Sequence, residues 1–365
     1  MKQIHSFVFL FFTTSVAAFF MGVFLYIMSN FTVHPSALNV PRSKSIAEIP
    51  IFPTPIIITE SPILTVVGDI MLARSVELSM ISNGGTYPFK YTKTIFGSST
   101  AVLANFEAAI PLVHKITPPN ITRFSVSPFY LTDLATAGVT HVSLANNHSF
   151  DYGAVAFNNT ANQLQSAGIS TFGNPDTITS SSISYVTLGD YTIGIIGLHA
   201  VYKYPDEALL KETLAELSAN SDFQVVYVHW GTEYVSTHSQ SQETLATSLV
   251  SFGADTIIGH HPHVVQDIQL INGVPVFYSL GNFIFDQYFS TEVQEGLVLQ
   301  LSLAVDNFIV ALTPVSSSKS RSQPQLMEVD QAATFLANLA AKSDSSLSES
   351  IKTGNLILPY HLQNP

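Results

Sequence analysis

Five times between residues 64 and 263, an apolar run rich in β-branched residues stops on polar or ionisable side chains. Gly68 and Asp69 follow "LTVV", and Glu107 follows "VLANF". Asn146, Asn147 and His148 follow "VTHVSLA", His229 closes "FQVVYVH", and His260, His261 and His263 follow "DTIIG". Short continuous apolar runs of this kind read as buried strands. Open α/β sheets collect function at the carboxyl ends of their strands, so these five endings can converge despite their separation in sequence.

Helical spacing fills the intervals. "YGAVAFNNTANQLQSAG" stops at Gly168, "DEALLKETLAELSAN" is opened by Asp206, and "SQETLATSLVSFGA" is closed by Gly253. The alternation predicts a layered α/β domain over residues 63–315. "GLVLQLSLAVDNFIVALTPV" differs, since two apolar runs flank a turn at Asp306 and Asn307. It reads as a hairpin joining a second sheet. Serine-rich stretches at residues 316–322 and 343–350 read as loose surface, leaving residues 316–365 as a tail with one helix in "MEVDQAATFLANLAAKS".

Residues 7–28 carry no charge. At about 1.5 Å rise per residue they reach roughly 33 Å as a helix, enough to cross a bilayer. A cleavable signal is the competing reading, but its apolar region ordinarily spans about 7–15 residues and ends on small side chains, whereas this run ends in "FLYIMSN". The expectation is therefore one uncleaved transmembrane helix preceded by a short cytoplasmic head, residues 1–6. Lys2 on one side faces Arg42 and Lys44 on the other, and the four-residue "MKQI" opening favours an inside amino terminus with the body extracellular. Residues 29–62, with repeated prolines, read as an extended stalk; an edge strand at residues 56–58 is the alternative.

Composition narrows the chemistry. Lys plus Arg number 14 against 26 Asp plus Glu, a net charge of -12, and no basic cluster offers a footprint for nucleic acid. Without cysteine there are no disulfides, thiolate metal sites or cysteine nucleophiles. Taken singly, Asp69 reads as a solvated turn residue, a helix cap or a ligand; Glu107 as an exposed or a paired carboxylate; His229 as a core histidine satisfied by one carbonyl or as a ligand. His261 and His263, two apart in an extended loop stiffened by Pro262, can clasp one ion or touch two. Together the carboxylates, one amide oxygen and several imidazoles suit one or two ions of zinc, manganese or iron. Such a centre activates water and polarises a carbonyl or phosphoryl group.

"GDIMLAR", "ANFEAAI", "VSLANNHSFDYG", "VVYVHWGTEY", "GADTIIGHHPHVVQ" and "VFYSLGNFIFDQ" resemble, in order, the motifs of the capsule-synthesis proteins of the poly-gamma-glutamate type. Those proteins are similar in fold to calcineurin-like metallophosphoesterases, which implies an α/β/β/α sandwich. The resemblance implies metal ligation by Asp69, Glu107, Asn147, His229, His261 and His263. It also implies proton transfer by His148, which Asp151 orients. Arg74, His260 and Asn282 become pocket-lining candidates. One departure stands out: the phosphoesterase Asp-x-His is Asp69-x-Met71 here, a thioether in place of an imidazole.

Three functions follow from that resemblance. The first is an anchored metal-dependent hydrolase or amide transferase acting on poly-gamma-glutamate or a related anionic surface polymer. The second keeps the centre but takes phosphate esters. The third is a non-catalytic subunit that binds polymer or a membrane polymer synthase. The expected location is the cell membrane, with bilayer, surface polymer and synthase as partners.

Overall fold

The computed structural model describes residues 62–304 and 306–360. The expected membrane helix and stalk lie outside them. Among the described residues no helix is long and apolar enough to cross a membrane.

Among the described residues, fifteen strands form two sheets. The chain enters through β1 (Leu64–Ile70), β2 (Ala101–Phe106), β3 (His141–Ser143) and β4 (Ser170–Phe172), which pair side by side in parallel. It then builds a six-stranded sheet from β5 (Ile183–Leu188), β6 (Tyr191–His199), β7 (Phe223–His229), β8 (Thr256–His260), β9 (Ile268–Ile271) and β10 (Val274–Phe277), in the order β5-β6-β7-β8-β10-β9. Strand β11 (Asn282–Ile284) returns to pair with β1. The first sheet grows on through β12 (Glu295–Ala304), β13 (Asn307–Ser316), β14 (Gln325–Leu326) and β15 (Asn355–Pro359).

Among the described residues, five helices have ten or more residues: α1 (Arg74–Asn83), α2 (Gly153–Ser166), α3 (Glu207–Ala219), α4 (Gln240–Ser251) and α5 (Val329–Lys342). Asp206 caps α3 by accepting from Leu209 N at 3.0 Å, and Ser239 with Gln242 forms a capping box on α4. Gly168 and Gly253 follow α2 and α4 with positive φ of 84° and 104°, as the helix stops require.

Alternation along each strand sets the layers. Leu64, Val66, Leu103, Ile193, Ile195, Val225, Tyr227 and Ile258 share one apolar layer between the sheets. Their neighbours Val67, Val102 and Ala104 face Val76, Met80, Leu134 and Leu164 in a second layer. Ile196, Val226, Val228 and Ile257 face Leu210, Leu214, Leu217 and Leu249 in a third. Adjacent residues thus point into different cores, which is why the strands read as continuous apolar runs. The result is a layered α/β domain, as the alternation predicts, with two sheets packed between helices as the family resemblance implies.

Two expectations need correction. The hairpin of β12 and β13 extends the first sheet, because β12 lies antiparallel on the free edge of β1 with Val66 opposite Leu299; the second sheet is made by β5 to β10. Nor are the serine-rich stretches a loose tail. Ser322 Oγ donates to Phe285 O at 3.2 Å, and Ser343 Oγ accepts from Ile268 N at 2.9 Å. Strand β15 pairs with β13, sending Leu356 and Leu358 into the layer between the sheets. The domain therefore continues to residue 360; hydroxyls bonded to backbone are buried at little cost, which composition cannot reveal.

Candidate metal centre

Gly68 explains how the site begins. A Cβ there would stand 1.9 Å from Gly281 O, and Asp69 N donates to that same oxygen at 3.1 Å. Only glycine lets the two chains pass so closely, and the crossing places Asp69 in register with Asn105 on β2 and Asn282 on β11. Asp69 is fully buried, so the solvated-turn and cap readings fail.

The second sheet supplies the facing wall. His199, His229 and His260 are register partners at the carboxyl ends of β6, β7 and β8, a rung of three imidazoles. His229 Nδ1 is 2.8 Å from His260 Nδ1, and His229 Nε2 is 2.8 Å from Asn147 Oδ1. His199 Nδ1 is tied to Pro175 O at 2.7 Å. Past β8 the backbone is not extended, as expected from the sequence, but left-handed at His261 (φ 99°) and His263 (φ 58°). That conformation is uncommon for non-glycine residues. It brings both rings into the pocket, 6.0 Å apart between centroids, so strand alternation is not what orients them.

The sequence candidates assemble in one place. His263 Nδ1 lies 3.0 Å from Asn282 Oδ1 and 3.3 Å from Asp69 Oδ2. Glu107 Oε1 is 3.7 Å from both His263 Nε2 and His148 Nε2. His148 Nδ1 meets Asp151 Oδ2 at 3.0 Å, and its ring stacks on Phe124 at 4.1 Å. Arg74 stays one layer back: it pairs with Asp286 and lies over Phe124, 4.6 Å from the ring centroid. Met71, the departure at the first motif, turns into the helix-side core, where its sulfur accepts from Ala73 N.

Asn105 and Glu233 were not among the sequence candidates, and Asn146 entered only as the first polar residue of its run ending. Asn105 Nδ2 donates to Asp69 Oδ1 at 2.8 Å and reaches Glu107 Oε2 at 3.3 Å; Asn146 Nδ2 in turn donates to Asn105 Oδ1 at 3.0 Å. The signal for Asn105 was its position two before Glu107 in "NFE". Glu233 lies in the motif "VVYVHWGTEY" but ends no apolar run; the contact of Tyr234 N with Pro262 O is what sets its loop against the histidine turn.

Three groups of side chains present ligand atoms within 4.8 Å of one another: Asp69, His229 and His260; Glu233, His261 and His263; and Asp69, Glu107 and His263. Burial and mutual charge shift these groups in both directions. Burial pushes the Asp69 carboxyl up, but the hydrogen bond and charge of His263, with help from His260 and Asn105, hold it below its usual range. Burial and the Asp69 charge push Glu107 well above its range. Burial, joined by the other histidines, holds His229 well down; burial first brings His260 to about 4 and His261 to about 3. Those three rings are neutral, the form that binds metal. At His263 burial opposes protonation, yet Glu107 and Asp69 raise it to about 9.

A divalent cation fits this donor set. Among the described residues, Glu107 Oε1, His260 Nε2 and His261 Nδ1 are buried without a hydrogen-bond partner. Lone pairs left so are costly unless a ligand uses them. Carboxylates, imidazoles and an amide oxygen are what first-row transition ions accept.

Residues 63–287, from β1 through the turn after β11, match the family described as Bacterial capsule synthesis protein PGA_cap. The chain belongs to this family. It is 30% identical over 291 residues to the capsule biosynthesis protein CapA of Bacillus anthracis, covering 73% of this chain and 70% of that one. To the PGA biosynthesis protein CapA of Bacillus subtilis it is 28% identical over 308 residues, 80% of each chain. Among solved structures it is similar to a novel phosphatase of Mycoplasma pneumoniae, at 14% identity and TM-score 0.45, over 72% of this chain and 90% of that one. The PGA_cap match holds all the candidate ligands, Glu233 included, and ends before the hairpin that completes the first sheet.

Proposed function

We propose that this PGA_cap protein is a membrane-anchored, outward-facing, metal-dependent hydrolase-like protein that acts on poly-gamma-glutamate or a related anionic polymer during its production, release or attachment. The observation that carries the reading is the convergence of Asp69, Glu107, His229, His260, His261 and His263 around three unpartnered buried lone pairs. The capsule and PGA biosynthesis roles in the names of the two CapA relatives support the choice of polymer. One or two ions of manganese, zinc or iron suit the donors, with Asn147 adding an amide oxygen. Such an ion, when bound, polarises a carbonyl and activates water.

The chain's own groups do the rest. Asp151 holds His148 Nδ1, leaving Nε2 directed toward Glu107 at the centre. In amide hydrolysis, water oxygen bonds to the carbonyl carbon and the C–N bond breaks. His148 passes the proton released by water to the departing amine. Phe124 and Phe285 wall this side, stacking on His148 and lying 4.7 Å from the His263 ring. A net charge of -12 repels a polyanion at long range, so attraction must be local to the cation site. The lipid bilayer, through the amino-terminal span, and a membrane polymer synthase are the partners in this reading.

The test uses the full chain in detergent, loaded in turn with Mn²⁺, Zn²⁺ and Fe²⁺, on a gamma-linked glutamyl oligomer. Shortened oligomers or transfer to an added amine support the reading; no turnover with any of the three defeats it. Turnover of an aryl phosphate alone transfers the site to phosphate esters. Protease shaving of intact cells checks whether the body lies outside.

A further inference from the structure

Two of the three ligand groups share no residue. Asp69, His229 and His260 form one; Glu233, His261 and His263 form the other. Glu107 groups with Asp69 from the first and His263 from the second, and so stands between them. All members of the first group are buried, whereas Glu233 is exposed. The two centres therefore differ in access to solvent.

We propose that Glu233 is a ligand of an outer metal ion held with His261 and His263, separate from an inner ion at Asp69, His229 and His260. This deepens the metal-centre reading above and rests on it. One carboxylate with two imidazoles is a donor set that leaves a coordination position open, as hydrolytic zinc sites do. His261, a residue only 4% exposed, keeps a buried Nδ1 without a hydrogen-bond partner, so this group contains an imidazole nitrogen that no protein atom satisfies.

The loop after β7 is built to deliver this carboxylate. Tyr234 N donates to Pro262 O at 2.8 Å, fastening the residue after Glu233 to the turn between the two histidines. The Tyr234 ring stacks along His263 at 6.0 Å. Tyr234, His261 and His263 all have positive φ, so left-handed non-glycine residues gather around this one group. The arrangement also supplies an oxygen ligand to a centre whose first motif has Met71 in place of an imidazole.

The experiment strips the full chain of metal in detergent and titrates it with Zn²⁺ by calorimetry, with elemental analysis after desalting. The wild type should take up two ions of unequal affinity. Glu233→Gln should keep the tight ion and weaken the other by about tenfold or more, while His260→Ala should weaken the tight one. A wild type that takes up one ion only overturns the two-ion assignment, whatever Glu233→Gln does. Unchanged stoichiometry and affinities in Glu233→Gln overturn it and leave the metal centre standing. No ion in the wild type overturns both. Because Glu233 is exposed, an unaltered melting curve separates lost ligation from lost folding.

Discussion

His229 and His260 face each other nitrogen to nitrogen, Nδ1 to Nδ1 at 2.8 Å, from aligned ends of neighbouring parallel strands. One nitrogen must donate and the other accept. Before metal enters, Asn147 Oδ1, 2.8 Å from His229 Nε2, accepts a hydrogen bond there and so makes His229 Nδ1 the acceptor; to ligate, His229 must give up one of these two bonds. His260 then keeps its hydrogen on Nδ1 and presents a bare Nε2, the atom found without a partner. Removing His260 with His260→Ala should lower affinity for the inner ion by about 10- to 100-fold, read by equilibrium metal titration.

Metal uptake should release protons in proportion to the charge on His263. Its folded value of about 9 means it is protonated at neutral pH and must lose that proton to ligate. Affinity should therefore fall by about tenfold per pH unit below 9 where this ligand limits binding. In the metal-free protein the sign is reversed: a raised histidine contributes stability that is complete below about 6.5 and is lost as pH rises through about 9. Calorimetry in buffers of differing ionisation enthalpy, from pH 6 to 9, counts the protons; a pH-independent affinity would contradict the assignment of His263.

Gly68→Ala should damage both stability and site. The new methyl carbon would start 1.9 Å from Gly281 O, a backbone atom that cannot swing aside. We expect a loss of about 1–3 kcal/mol in unfolding free energy, with weaker metal binding because Asp69 moves with the strand. Denaturant melts and a Zn²⁺ titration measure the two effects.

Asp151→Asn separates proton transfer from metal binding. Asp151 Oδ2 holds both His148 Nδ1 and Phe124 N, and no ligand group includes it. Turnover of the glutamyl oligomer should fall by about 10²- to 10⁴-fold with metal content unchanged. Loss of metal in this variant would place Asp151 in the ligand shell instead.

A second histidine–carboxylate pair tests the fold alone. His238 Nδ1 meets Asp267 Oδ2 at 2.6 Å; the hydrogen bond raises His238, and the same bond overcomes burial to lower Asp267. The His238 contribution is complete below its unfolded value near 6.5 and fades as pH rises through the raised one. That of Asp267 is present above its unfolded value near 3.8 and is lost as pH falls through the lowered one. The stability difference between wild type and His238→Asn should thus be greatest between about pH 4 and 6.5, at about 0.5–1 kcal/mol after solvent screening, and shrink on either side. Denaturant midpoints across pH 3 to 9 give the profile.

Local rules were enough for much of this molecule. Continuous apolar runs set the strands, Asp206 the start of α3, and Gly168 and Gly253 the stops of two helices, because each depends on neighbours a few residues away. Polar groups at the run ends pointed to Asp69, Glu107, Asn147, His229, His261 and His263 as candidates. What the sequence left open was pairing across long separations. The β12–β13 hairpin could lie on either sheet until the free edge of β1 received it, and the serine-rich stretches looked loose until Phe285 O and Ile268 N met their hydroxyls. The placement of Glu233 and the left-handed turn at His261 and His263 were likewise not legible locally, since the Tyr234 N to Pro262 O contact joins two loops distant in sequence. Periodicity reports which face of a strand is apolar; only tertiary packing decides what that face and its loops meet, because burial energy is blind to sequence distance.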